Sequence, residues 1–125
     1  MSIPVDLARL GDVLGDYGAG YLLTASPEGR VKAVTVHPYA AHGHLVVPSP
    51  SRGTSANLAG NDKVTIIWAP LQAKGYTLIV DGTAAEASDG LGFLVTPQTA
   101  VLHRPADHAD GPPPPDGCGH DCRPV

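Results

Sequence analysis

Arg52 is the one full positive charge in a hydroxyl-rich loop, Ser49-Pro50-Ser51-Arg52-Gly53-Thr54-Ser55, which leads into a stretch closed by Gly60-Asn61. Ser and Thr favour helix starts because a side-chain oxygen accepts from a first-turn amide that has no partner inside the helix. Those amides and the helix dipole also favour an anion, to which Arg52 adds its own charge. The spacing predicts a short helix from about Thr54 to Ala59. Its start reads two ways: a plain cap beside a solvated arginine, or an anion site in the loop that carries Ser49, Ser51, Arg52, Thr54 and Ser55.

Two further clusters hold ligand-type side chains. Cys118-Gly119-His120-Asp121-Cys122 places two thiols and an imidazole at alternate positions near the end of the chain. Cys and His suit Zn²⁺, which takes four such ligands in a tetrahedron. Cys118, His120 and Cys122 are therefore half a metal site, to be completed by His103, His108 or a second subunit. Two inert thiols, or a Cys118–Cys122 redox pair, are the other readings. His37, His42 and His44 bracket a Pro38–Gly43 turn, either as metal ligands or as solvated hairpin histidines. No Ser-His-Asp, paired-carboxylate or phosphate-loop signature is present.

Strands must position these groups. Arg30 to His37 alternates, with Val31, Ala33, Thr35 and His37 on one face and Lys32, Val34 and Val36 on the other. Tyr21–Ala25, His44–Val47, Val64–Trp68, Tyr76–Ala85 and Gly92–His103 read as further strands, with a bulge at Asp81-Gly82 and an interruption at Pro97. Near-helical spacing of apolar residues predicts a helix from about Pro4 to Gly15. Gly18-Ala19-Gly20 precedes a strand instead of following one, which excludes a dinucleotide fingerprint. Trp68, the one tryptophan, and Tyr76 are expected to pack in the core or at a dimer interface. Short strands between turns predict a mainly β chain: a small barrel of about six antiparallel strands with an N-terminal helix and one short helix.

Residues 1–103 form the expected domain. Residues 104–125, rich in Pro, Gly and Asp, are expected to be an extended or disordered tail. The net charge of −4 and the lack of a Lys/Arg cluster exclude a nucleic-acid partner. No apolar run is long enough to span a membrane, and Met1–Asp6 lacks the basic flank and apolar core of a signal peptide, so a cytoplasmic location is expected.

Helix, hairpin and strand are followed by a helix carrying Asn57-Leu58 and closing at Asn61 before Val64. Val80-Asp81-Gly82-Thr83-Ala84 and Leu94-Val95-Thr96-Pro97 come after it. From about Pro4 to His103, this order resembles the pyridoxamine 5′-phosphate oxidase-like, FMN-binding split barrels. The resemblance implies a homodimer with a flavin, FMN or a deazaflavin, in each of two clefts between subunits. It also implies a cofactor phosphate at Ser49–Ser55 and an isoalloxazine lying along Ala33, Val34, Thr35 and Val36. The implied activity is oxidation or reduction of a small molecule; a split barrel that has lost its flavin and binds a ligand or metal is the alternative. That family usually carries a lysine where Thr54 stands, leaving Arg52 as the charge within the loop. It also often has a helix where only Ser88-Asp89-Gly90-Leu91 connects the last two long strands.

Overall fold

A computed structural model describes residues 2–48, 52–88 and 92–115. Its strands are β1 (Ser2–Pro4), β2 (Gly20–Ala25), β3 (Val31–Val36), β4 (Tyr39–Ala41), β5 (His44–Pro48), β6 (Lys63–Trp68), β7 (Thr77–Glu86) and β8 (Gly92–His103). The helices are α1 (Leu10–Leu14), preceded by a 3-10 turn at Leu7–Arg9, and α2 (Arg52–Gly60). Six strands exceed three residues, as the turn spacing implied; β1 and β4 are short additions.

All pairings are antiparallel, in the order β3-β2-β6-β7-β8-β5-β4, with β1 added to β8. Among the described residues β3 pairs only with β2 and β4 only with β5, so the curled sheet stays split between those two edges. Helix α1 packs on β4, where Gly11 lets the two come close, and α2 packs on β2 and β3.

Inward-facing residues follow the predicted period of two. Leu22, Ile66, Trp68, Leu78, Val80 and Leu102 are each no more than 1% exposed. Each such aliphatic side chain contributes about 1.5–3 kcal/mol by leaving water. Trp68 and Tyr76 both lie in this core, as expected. Gly20 is required beneath Trp68, because a Cβ there would come within 2.9 Å of the indole Nε1.

The bulge explains a change of parity in β8. Asp81 pairs with Thr99 and Gly82 with Pro97, so Gln98 is the extra residue. Before it the inward residues are Phe93 and Val95; after it they are Ala100 and Leu102. One unpaired residue inverts the faces, since side chains alternate strictly along a strand. Thus the irregularity expected at Asp81-Gly82 has its additional residue on the opposite strand, next to Pro97, which has no N–H to give to a ladder. Gly82 is needed there because a Cβ would collide with the Thr96 carbonyl.

The helix expected over Pro4–Gly15 is shorter than its apolar spacing suggested. Ile3 pairs with Leu102, and Val5 N–H donates to the Ala100 carbonyl at 2.8 Å, so the first residues extend the sheet. Asp6 caps the 3-10 turn through Ala8 N–H at 3.0 Å, and only Leu10–Leu14 is α-helical. Long-range pairing outweighs a weak helical preference that Gly11 and Gly15 already reduce.

Of the C-terminal segment, the described residues 104–115 are extended beyond a 3-10 turn at Ala106–His108 and are held against the barrel. Arg104, its first residue, is 6% exposed.

Candidate cofactor cleft

Helix α2 is fixed by the residues that carry the family resemblance. Asn57 Nδ2 donates to Thr24 Oγ1 of β2 at 3.0 Å, and Leu58 packs against the core. Asn61 N–H continues the helical pattern to Asn57 O, and Asn61 Oδ1 accepts from Lys63 N–H at 3.1 Å, turning the chain into β6. The Asn-Leu…Asn…Val signature therefore acts here as the clamp that sets the helix on the sheet. Replacing Asn57 with Ala leaves the buried Thr24 hydroxyl without this donor and is expected to cost about 1–3 kcal/mol. Chemical denaturation is the measurement; an unchanged midpoint would remove the clamp.

That clamp aims the first turn of α2 at β3. Arg52 and Ser55 are exposed, and no acidic residue lies in the turn. Thr54, by contrast, is fully buried, so in this arrangement it packs the helix onto the barrel and shows no surface to a ligand. A second cation lies against the helix start: the Lys32 side chain crosses Gly53, with Nζ 2.9 Å from where a Cβ would be. Gly53 is the residue that leaves room for it. The sequence held one signal of this, since Lys32 shares the inward face of its strand with Val34 and Val36. A lysine on an apolar face needs a reason, and the start of α2 supplies it.

On β3, Ala33 and Thr35 point outward and are exposed; Val34 is half-buried and Val36 buried. Because β3 borders the split in the sheet, part of its backbone has no ladder partner among the described residues. Val31, on the same outer face, lines a recess of about 470 Å³ with Leu23, Ala25, Thr65, Asp81 and Gln98. Its volume lies in the range of small-molecule pockets. Thr65 Oγ1 donates to Asp81 Oδ1 at one side of it.

Ser49 and Ser51 lie outside the described residues, as do Cys118, His120 and Cys122. His37 and His42 are exposed, and His44 Nδ1 lies 3.1 Å from the His42 carbonyl. Among the described residues, no three His, Cys, Asp or Glu side chains converge in a way that could hold a metal. Nor is any described helix long and apolar enough to cross a membrane.

A split antiparallel sheet, with a short helix set against its β3 edge, defines the pyridoxamine 5′-phosphate oxidase-like split-barrel fold. Solved structures share it at low identity. An FAD-binding protein from Mesorhizobium loti superposes with a TM-score of 0.63 at 17% identity, over 82% of this chain and 96% of its own. An F420 reductase gives 0.58 at 14%, over 71% and 93%. The heme storage protein HutZ from Vibrio cholerae gives 0.58 at 12%, over 75% and 91%. No family profile matches the chain. On this fold, the chain belongs to one family with uncharacterized protein Mb0449c of Mycobacterium bovis, 38% identical over 132 aligned positions, which span 94% of this chain and 92% of that protein. Uncharacterized protein MT0457 of Mycobacterium tuberculosis matches to the same extent.

Proposed function

We propose that this protein is a small flavin-dependent oxidoreductase that holds FMN or a deazaflavin in the cleft beside α2 and acts on a small molecule. The observation that carries this reading is the Lys32 ammonium lying over Gly53, the residue next to Arg52, at a helix start with no acidic residue. Two cations and the first-turn amides suit a phosphate, the group these cofactors share, and charge-assisted hydrogen bonds are about twice as strong as neutral ones. Lys32, Arg52 and Ser55 would hold that phosphate. Ala33, Thr35 and the backbone edge of β3 would line the ring. When bound, the flavin supplies the electron chemistry; the chain orients it and keeps water from one face. The names of the M. loti protein and of the F420 reductase support a ligand of this class.

The absorption spectrum of the purified protein, followed by titration of FMN and of F420 into the colourless form, tests this. A flavin band or saturable uptake of either is expected. Protein that ignores both leaves the second reading, a split barrel that binds a ligand without flavin, which burial of Thr54 at the usual lysine position favours.

The cleft also needs a second wall, and we propose that a second copy of the chain provides it. On the outer face, Thr35, Tyr21, Ile67, Ile79 and Val101 are successive cross-strand neighbours from β3 to β8. Tyr21 is 49% exposed. Such an apolar stripe is suited to a self-complementary C₂ interface. Ile67→Asp, at the middle of the stripe, is expected to turn a dimer into a monomer in sedimentation; wild type that sediments as a monomer at micromolar concentration overturns the proposal.

A further inference from the structure

Beyond the cleft, Arg104, directly after β8, is a heavily bonded side chain among the described residues. Its guanidinium lies 4.0 Å over the centre of the Tyr76 ring. Nη1 donates to the Pro112 carbonyl at 2.7 Å and to the Lys74 carbonyl at 3.4 Å, and Nη2 to the Ala109 carbonyl at 3.5 Å. Two of those acceptors belong to the segment that follows Arg104, so the arginine ties its own downstream chain into a loop against the β6–β7 connection. Lys74 Nζ pairs with both oxygens of Asp110 at 3.0 and 3.2 Å, and Gly111 lies so close to the Lys74 carbonyl that a Cβ would collide with it. Past this knot, Pro112–Pro115 run along a groove of about 230 Å³ whose other wall includes Tyr17, Tyr76 and Leu71. Prolines set against tyrosines are the contact by which extended Pro-rich segments are recognised. Here one chain supplies both sides.

We propose that residues 104–115 form a latch over the Tyr17–Tyr76 groove, opening and closing as one unit, with Arg104 as its bolt. The segment has little core of its own. His108, Ala109 and Gly111 N–H groups donate only to carbonyls within it. Its order therefore depends on the Arg104 contacts and the exposed Lys74–Asp110 pair, the weaker of the two because solvent screens it. Such a unit opens locally, below the free energy at which the sheet unfolds.

Hydrogen–deuterium exchange of the full chain, read peptide by peptide, tests this. In wild type the His108, Ala109 and Gly111 amides are expected to be protected and to exchange together, well before those of β6 and β7. Arg104→Ala should speed their exchange roughly ten- to hundredfold, which is about 1.4–2.8 kcal/mol at 1.4 kcal/mol per decade, while β6 and β7 stay protected. Arg104→Lys keeps the charge but not the planar fork or the stack, and should open the latch nearly as far. Asp110→Asn should give a smaller effect that disappears at high salt. Coil-like exchange of these amides in wild type overturns the latch. So does their exchange only together with the slowest sheet amides, or protection that Arg104→Lys leaves unchanged. Should Arg104→Ala fail to fold, the lysine and Asp110 variants decide.

Discussion

Replacing Lys32 and Arg52 by alanine, singly and together, is expected to weaken FMN binding more than any other surface change. A hydrogen bond to a charged group contributes about 1.5–3 kcal/mol, so each single variant should bind roughly ten- to hundredfold more weakly. The double variant should lose less than the product of the two, because both cations would face one phosphate and their contributions couple. Titration followed by quenching of flavin fluorescence gives the three values. If Lys32→Ala binds as wild type does, the lysine over Gly53 is packing and not part of the site. Thr54 provides the contrast. Thr54→Ala should lower stability by about 1–3 kcal/mol, as expected when a buried polar side chain is removed, and leave binding near wild type. Thr54→Lys, which installs the residue that the resemblance implies at this position, should destabilise the protein, since the position has no exposed surface for an ammonium.

Trp68→Ala is expected to be the most damaging single change to the fold. The indole is 1% exposed at the end of β6, and removing a buried aromatic costs about 3–5 kcal/mol. A domain of this size is stable by only about 5–15 kcal/mol, so the variant should sit close to unfolding at room temperature. Because Trp68 is the one tryptophan, circular dichroism with urea must replace intrinsic fluorescence as the readout. Gly20→Ala should show part of the same loss, as its methyl would press on the ring. A Trp68→Ala midpoint close to wild type would mean that the core has collapsed around the gap.

The strands and the position of α2 were legible because their signals are local. Alternation in Val31–Val36 and the β-branched run Lys63–Trp68 each appear within a few residues and need no partner to be recognised. The bulge was legible only in part: Asp81-Gly82 marked its place, but which strand held the additional residue depends on pairing with Gln98. Three features arise solely from residues distant in the chain. Strand β1 is extended because Leu102 and Ala100 accept it. Lys32 reaches Gly53 because α2 lies across β3, which no spacing within the Ser49–Ser55 loop could reveal. Arg104 looked like the first residue of a polar tail because its acceptors are backbone carbonyls, and carbonyls have no sequence signature. The same limit applies to Thr54: a hydroxyl beside an arginine suggests a ligand contact, and only the packed helix shows which way it points.

The pairing of Ser2–Pro4 with Val101–His103 has a consequence for how the protein is made. Residues 2–4 are made about a hundred residues before their partners, since β8 must emerge before β1 can dock. Until then the apolar N-terminal stretch has nowhere to settle, and β5 and β7 lack the strand that joins them. Contacts this far apart in sequence make folding slow relative to helical proteins, and they leave unpaired edges exposed during synthesis. Chains in which β8 has not yet emerged should therefore be prone to associate through those edges. A bulky fusion at the N-terminus should also depress the yield of folded protein more than the same fusion placed after Val125.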